Sequence, residues 1–229
     1  LSICGCVGYH AMLYLALEYT TAINASYFYT ASPVTILVVA WLLNRETVTW
    51  RQGAGIALSL VGVLGILTKG DLWELLAVRF NPGDLLAIAN VPLWAVYNVV
   101  IRRRPATLEP MVLLTAISVL AALLLLPAWL VELALGYRMR ATWATVGMVL
   151  YVGIFASVVA LACWNRGLLA VGANRAGPFT HLLPVMVSVL SILFLAEGVA
   201  WYHLAGLGLI FAGIYLASAG GRVQASPRP

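Results

Sequence analysis

Residues 31–62 read ASPVTILVVAWLLNRETVTWRQGAGIALSLVG, and residues 182–213 read LLPVMVSVLSILFLAEGVAWYHLAGLGLIFAG. A shift of 151 positions superimposes the two stretches, with identities along their whole length. The matched pairs include Pro33/Pro184, Glu46/Glu197, Trp50/Trp201, Gly55/Gly206 and Gly62/Gly213. Apolar composition alone would rarely align Glu and Trp residues in this way. The chain therefore contains an internal repeat, and in hydrophobic chains such repeats are a signature of transporters.

The composition places this chain in a membrane. Of its 229 residues 63% are hydrophobic and 9% are charged, whereas a soluble domain is about half apolar and about a quarter charged. The apolar runs approach the length of about 20 residues that a helix needs to cross the hydrocarbon. They do not alternate as the strands of a membrane barrel do. The sequence predicts an all-α polytopic membrane protein.

Eight apolar spans are predicted, at about 1–17, 22–43, 53–68, 84–101, 111–131, 143–164, 175–196 and 201–219. The shift maps the first three spans onto the last three, so the fourth and fifth open the second copy. By symmetry the first copy should also open with two spans, which are missing here. The prediction is a ten-helix plan of two five-helix repeats. Because five is odd, the repeats are inverted across the membrane.

The same reasoning divides the chain into segments. Residues 1–68 are predicted to hold the last three helices of the first repeat, 69–82 the inter-repeat loop, 83–219 the complete second repeat and 220–229 a disordered tail. Nine basic residues fall on the side of the C-terminus and four on the other side. The positive-inside rule then makes the C-terminus cytoplasmic. Basic residues scattered over separate loops do not indicate a nucleic-acid partner.

Polar and aromatic residues within the spans are candidates for a substrate pathway, because polar groups in hydrocarbon usually face the bundle interior or a cavity. Aromatic rings bury apolar groups and attract cations, while His and Asn donate to carboxylates, which suits a neutral or zwitterionic amphipathic solute. The alternative is an interfacial belt or a local hydrogen bond. The candidates are Tyr9, His10, Tyr27, Asn90, Trp94, Tyr97, His181 and Ser188.

Two repeated pairs have predicted mechanical roles. Pro33 and Pro184 lie in mid-span, where each removes a backbone hydrogen bond and is predicted to kink its helix as a hinge. A static kink satisfied by packing is the alternative. Glu46 and Glu197 are predicted to be structural, each accepting backbone donors at the start of the next helix. Proton coupling is the alternative for them.

Small residues at helical spacing are predicted to let two spans pack closely and to clamp the repeats together. They are Gly55, Ser59 and Gly62 in the third span, and Ala205, Gly208 and Ala212 in the eighth.

The sequence predicts neither an enzyme nor a metal or cofactor site. It has no HExxH motif and no paired His spacing, and its three cysteines make no metal spacing. None of its eight carboxylates lies deep in a span. Three possibilities for energising transport stay open: coupling through a histidine, facilitated transport, or a carboxylate on a missing helix.

From about Gly8 onward the chain resembles the EamA-type family of the drug/metabolite transporter superfamily. The resemblance rests on residues 83–103, with Gly-Asp-Leu-Leu, Trp-Ala and Arg-Arg, on residues 173–197, and on residues 201–213. Gly8-Tyr9-His10-Ala11 is also similar to the aromatic amino acid exporters of that superfamily. The resemblance implies ten helices, cytoplasmic termini and export of small metabolites.

The predicted function is that of a secondary transporter in the bacterial inner membrane, exporting amino acids or similar amphipathic metabolites by alternating access. It would work as a monomer or homodimer in the lipid bilayer. The alternatives are multidrug efflux within the superfamily, and a non-transporting scaffold or receptor, which would need no polar lining. Convergence of His10, Trp94 and His181 on one cavity would favour transport, whereas lipid-facing or scattered positions would contradict it.

Overall fold

The computed structural model describes residues 1–21, 25, 28–71, 73, 81–105, 107–137, 139–195 and 200–218, leaving aside the side chains of 187–188 and 191–195. Eight principal helices lie in that part of the chain. They are α1 (Gly8–Tyr19), α2 (Ser32–Asn44), α3 (Trp50–Leu67), α4 (Pro82–Val100), α5 (Pro110–Ala134), α6 (Trp143–Val171), α7 (Leu182–Leu195) and α8 (Trp201–Ser218). Helices α3, α4, α5, α6 and α8 are long and apolar enough to cross a membrane. The chain is an all-helical, multi-pass membrane protein.

Local hydrogen bonds explain where α3 and α4 begin. Thr49 and Gln52 form a capping box at the start of α3, and Asn81 and Asp84 form one at the start of α4. Each box satisfies backbone N–H groups that a helix end leaves without partners. Asp84 is fully buried and also accepts a hydrogen bond from the Thr20 hydroxyl at 2.6 Å. This bond ties the end of α1 to the start of α4.

Glu46 does not cap the next helix as predicted. Its Oε1 atom is 2.8 Å from the Arg102 guanidinium and accepts a second bond from Asn44 Nδ2 at 3.2 Å. Thr49 with Gln52 already caps α3, and the Glu46 carboxylate forms a charge-assisted hydrogen bond with Arg102 instead. Glu46 therefore ties two loops together. Its repeat mate Glu197 lies outside the described residues.

Contacts between the loops indicate which connections lie on the same face of the protein. Arg102 joins Glu46, and a Cβ added at Gly172 would lie 3.5 Å from the Arg102 guanidinium. The connections after α2, α4 and α6 therefore meet on one face. At Gly70, which belongs to the opposite face, an added Cβ would lie 2.6 Å from the Trp201 ring. The assignment of these faces to cytoplasm and exterior stays a prediction.

The two prolines predicted to kink their helices, Pro33 and Pro184, lie in the first turns of α2 and α7. Pro33 is the second residue of α2, which follows a turn at 30–31. Pro184 is the third residue of α7, which follows the 3₁₀ helix Gly177–His181. The first turn of a helix does not need the N–H that proline lacks. The first span therefore turns at 30–31 ahead of Pro33, and the second passes through a 3₁₀ segment ahead of Pro184. A hinge role for the two prolines stays a prediction.

Helices α3 and α8 pack with their backbones almost touching. A Cβ added at Gly55 would lie 2.5 Å from the Gly213 carbonyl oxygen, and one added at Gly62 would lie 2.6 Å from the Gly206 oxygen. Gly206 is the repeat mate of Gly55, and Gly213 is the mate of Gly62. Gly55 therefore contacts the repeat mate of Gly62, and Gly62 contacts the repeat mate of Gly55. Two antiparallel helices related by a two-fold axis make this contact.

The prediction of the contacting face was right for α3 and wrong for α8. Gly213 and Ala217 of α8 contact α3, whereas a Cβ at Gly208, in the predicted row, would meet nothing within 4 Å. Helix α8 is apolar on every side, so hydrophobic patterning does not reveal which face packs. The packing against α3 determines which face of α8 is buried.

Candidate functional site

Five rings form an aromatic cluster between α1, α4, α6 and the short helical segment at 28–29: Tyr9, Tyr29, Trp94, Tyr97 and Trp164. The Trp94 ring centroid lies 4.9 Å from that of Tyr9, 5.5 Å from Tyr97 and 5.9 Å from Trp164. Tyr9 and Tyr29 are 6.3 Å apart. These separations are those of interacting aromatic pairs. Trp94 is therefore the centre of the cluster.

Side-chain amides hold the cluster in place. Asn165 shares hydrogen bonds of 2.8 and 3.0 Å with the Tyr97 hydroxyl. Asn98 accepts from the Trp164 indole at 2.8 Å and donates to the Trp94 carbonyl at 2.7 Å. Polar groups buried with their partners make such an arrangement rigid. The cluster is a fixed surface.

Trp164, Asn165 and Tyr29 were missed by the sequence reasoning. All three lie on helical segments whose other residues are mostly apolar, and Trp164-Asn165 is a polar interruption of the α6 run. That interruption was the available signal. The sequence does not show that Trp164 and Asn165 form hydrogen bonds with residues of α4, which lie 66 and 68 positions earlier in the chain.

Asn90 holds an unpaired acceptor beside these rings. Its Nδ2 atom donates to the Tyr9 carbonyl at 3.0 Å and to the Tyr29 hydroxyl at 2.8 Å. A carbonyl only accepts, so the contact with Tyr9 fixes which end of the amide is nitrogen. The Oδ1 atom of Asn90 is buried and has no hydrogen-bond partner among the residues that the structure describes. A buried acceptor without a donor is costly and uncommon.

His10 lies at the rim of the cluster. Its ring packs edge-on against Tyr9 with centroids 5.2 Å apart, and its Nδ1 atom lies 3.0 Å from the Cys6 carbonyl. Nδ1 must therefore be the donor. The bond is local, one helical turn back along the chain. His10 and Trp94 both contact Tyr9, so these two candidates meet.

His181 lies elsewhere, between the two repeats, so of the three residues expected to converge only His10 and Trp94 meet. It is 1% exposed, with Nδ1 2.7 Å from Ser59 Oγ and Nε2 2.9 Å from the Thr30 carbonyl oxygen. Thr30 follows Tyr29 of the aromatic cluster, so the chain itself links the two sites. Of the other predicted residues, Tyr27 and the Ser188 side chain lie outside the described part of the chain.

A small pocket of about 100 Å³ lies on the face where the loops meet. Glu109, Arg166 and Asn165 are among its lining residues. Asn165 is the residue that bonds Tyr97, so the pocket adjoins the aromatic cluster. Glu109 and Arg166 do not form an ion pair with each other. The pocket therefore offers one negative and one positive charge beside the cluster.

Two other features do not qualify as sites. A groove of about 660 Å³ on the outer side of α5 is lined almost wholly by apolar side chains, and the hydroxyl of its one threonine, Thr115, bonds to its own helix. The lining of this groove offers no free polar group to a solute. Among the residues that the structure describes, no three His, Cys, Asp or Glu side chains lie close enough to hold a metal ion.

Apolar spans, a glycine seam between repeated helices and buried polar side chains between helices together define a polytopic membrane protein of the transporter class. The sequence model of the EamA-like transporter family matches residues 1–68 and 81–219. The chain belongs to this family.

Individual relatives agree with this assignment. The chain is 25% identical over 226 residues to the uncharacterized transporter YyaM of Bacillus subtilis, covering 95% of this chain and 71% of the relative. It is 30% identical over 221 residues to an uncharacterized transporter of Archaeoglobus fulgidus (96% and 74%). It is 26% identical over 231 residues to a probable amino-acid metabolite efflux pump of Salmonella typhimurium (96% and 76%).

A solved crystal structure has the same fold. It superimposes with a TM-score of 0.77 at 22% identity, covering 95% of this chain and 74% of the other.

Proposed function

We propose that this protein is a secondary transporter that exports amino acids or similar small amphipathic metabolites by alternating access. The observation that carries the proposal is the unpaired Oδ1 atom of Asn90 beside an aromatic cluster. The relative from Salmonella typhimurium that is named a probable amino-acid metabolite efflux pump lends support. We also propose a bacterial inner membrane as the location, with the C-terminus in the cytoplasm.

The chemistry of Asn90 favours an ammonium group. Both bonds that its Nδ2 atom makes go to protein acceptors, Tyr9 and Tyr29, so the amide has no evident donor left for a substrate carboxylate. Its oxygen can accept from an –NH₃⁺ group, and ring faces attract such a cation within about 6 Å. The same rings bury an apolar side chain. A molecule with an ammonium group and an apolar body fits both features.

The charged pocket favours a zwitterion. Arg166 can pair with a substrate carboxylate while Glu109 pairs with its ammonium group, and both side chains are exposed on the loop face. Asn165, which lines this pocket, bonds Tyr97 of the aromatic cluster. An amino acid carries both charges.

A cationic aromatic drug is the second candidate, since the stacked rings would also bind it. The described residues of the membrane spans hold no carboxylate in mid-helix to pair with a permanent cation. This disfavours the drug and leaves an amino acid as the first choice.

Counterflow in liposomes tests the proposal. The purified full chain is reconstituted with unlabelled solute inside, and labelled L-phenylalanine, L-leucine, L-threonine or ethidium is supplied outside. We expect L-phenylalanine and L-leucine to exchange fastest. Exchange of ethidium alone would move the assignment to drug efflux, and exchange of none of the four would contradict the proposal.

Arg166→Gln is expected to raise the KM for L-phenylalanine by a factor of about 1.4 to 5, because an exposed charge pair contributes about 0.2–1 kcal/mol. The KM for phenethylamine, which lacks the carboxylate, should stay the same. Glu109→Gln should raise the KM for both solutes. Equal weakening of the two solutes by Arg166→Gln would contradict a carboxylate contact at this pocket.

A further inference from the structure

His181 joins three helical segments in the middle of the protein. It ends the 3₁₀ helix Gly177–His181, bonds Ser59 in the middle of α3, and bonds the Thr30 carbonyl in the turn ahead of α2. His181 and Thr30 are 151 positions apart, so they are repeat mates. Their bond therefore connects equivalent points of the two repeats. Movement of one repeat against the other must strain or break it.

The hydrogen bonds around His181 accept two protonation states without moving a heavy atom. The Thr30 carbonyl only accepts, so Nε2 carries a proton in both states. Ser59 Oγ lies 2.7 Å from Nδ1 and 3.0 Å from the Ile56 carbonyl. If the Ser59 hydroxyl donates to Nδ1, the ring is neutral. If it turns to Ile56, Nδ1 can hold a second proton and donate it to Ser59 Oγ.

In the second state the ring is an imidazolium whose two N–H groups both have acceptors. Charge-assisted hydrogen bonds of this kind are about twice as strong as neutral ones. A buried histidine that had no acceptor for its second ring N–H could not form a stable imidazolium. The geometry around His181 can therefore accommodate a second proton on the ring.

Few charged or titratable groups surround this ring. Helices α2 and α7 carry none, α3 carries Arg51 in its exposed first turn, and the short helix Ala173–Ala176 carries Arg175. Helix α8 carries Tyr202, His203 and Tyr215, and the turn ahead of α2 adjoins Tyr29. In the described part of the chain none of these hydrogen-bonds or ion-pairs with His181. Protonation of Nδ1 is therefore the change of charge that can occur at this position.

The same turn connects His181 to the proposed substrate site. Tyr29 accepts a hydrogen bond from Asn90, and the next residue, Thr30, accepts one from His181. A change in the His181 bond acts on the backbone that positions the Tyr29 ring. Proton binding and substrate binding thus share one short segment.

We propose that His181 is the proton-binding residue that couples proton movement to substrate export, an inference that rests on the function proposed above. One proton from water binds Nδ1 while the Ser59 hydroxyl turns to Ile56. The proton returns to water on the opposite side after the repeats have moved and the bond to Thr30 has broken. Substrate crosses in the other direction during the same cycle.

The test separates coupling from transport itself. Liposomes that hold the full chain and a trapped pH dye receive labelled L-phenylalanine, once in counterflow without a gradient and once with a pH gradient. For the unaltered protein we expect concentrative uptake driven by the gradient and a substrate-dependent proton flux. His181→Gln should lower the gradient-driven uptake at least tenfold and counterflow no more than threefold.

Two further variants keep the proposal testable if His181→Gln does not fold. Ser59→Ala removes the acceptor of the second proton, so the midpoint of the pH dependence should move to lower pH by about half a unit or more. His203→Gln is the matched control. His203 is also buried, and in the described part of the chain its Nδ1 atom accepts from the nearby Ala200 N–H at 3.1 Å. We expect normal coupling in this variant.

The outcomes are distinct. Counterflow in the unaltered protein without gradient-driven uptake or proton flux would overturn the coupling role and leave the proposed function standing. Gradient-driven uptake by His181→Gln equal to that of His203→Gln would also overturn it. Absence of counterflow for every amino acid tested would reject the proposed function, and the coupling role with it.

Discussion

Gly62→Val and Gly213→Val are each expected to prevent the two repeats from docking. The added side chain would begin within 3 Å of the facing helix: 2.6 Å from the Gly206 carbonyl at position 62, and 2.5 Å from the Ser59 nitrogen at position 213. Overpacking of a tight core typically costs about 1–3 kcal/mol. Here the obstacle is backbone, which cannot rotate away, so we expect a loss at or above the upper end of that range.

The measurement is size-exclusion elution and thermal stability of the detergent-solubilised protein. Gly65→Val and Gly208→Val are the matched controls, because a Cβ at either position meets nothing within 4 Å. These controls make the same change of helix propensity on the same two helices. Equal stability of the seam variants and their controls would mean that α3 and α8 do not pack in this way.

Trp94→Ala is expected to abolish most transport of L-phenylalanine. Trp94 contacts Tyr9, Tyr97 and Trp164, so its removal takes away the central ring of the cluster. Stacking and cation–π contacts contribute about 1–2 kcal/mol each when desolvated. We expect an affinity at least tenfold lower by counterflow, and Trp94→Phe should recover part of it.

Trp129→Ala is the control for this variant. Trp129 lies within α5 and is 55% exposed, on the outside of the protein. Its removal should leave transport of L-phenylalanine unchanged. If Trp94→Ala folds and transports as Trp129→Ala does, the aromatic cluster is not the substrate site, although membership of the transporter family is unaffected.

Much of the fold was predictable from the sequence. Each predicted span corresponds to a helix, and most bounds agree within about three residues. The exceptions are 143–164, whose helix continues to Val171, and 22–43 and 175–196, where α2 and α7 begin only at Ser32 and Leu182. The reason is that membrane helices are specified by long apolar runs, which the sequence shows directly. Local capping residues such as Thr49 and Asn81 then set the starts.

The candidate site was predictable only in part. Tyr9, Asn90, Trp94 and Tyr97 were predicted and do meet, because polar and aromatic residues are rare enough inside apolar spans to stand out. Their partners Trp164 and Asn165 were missed, since a bond between α4 and α6 depends on how two helices rotate about their axes. The orientation of the Asn90 amide depended in turn on a backbone carbonyl of α1.

The sequence by itself determined the membrane class, the internal repeat and the family. The lengths of apolar runs and the identities at a fixed offset can be read without knowing which helices are in contact. Only the tertiary structure decided which faces pack: Gly206 and Gly213 in place of Gly208, and Arg102 as the partner of Glu46. It also decided that His181 bonds its own repeat mate, Thr30. An apolar helix has no preferred face until a second helix approaches, so contacts between helices belong to the folded protein.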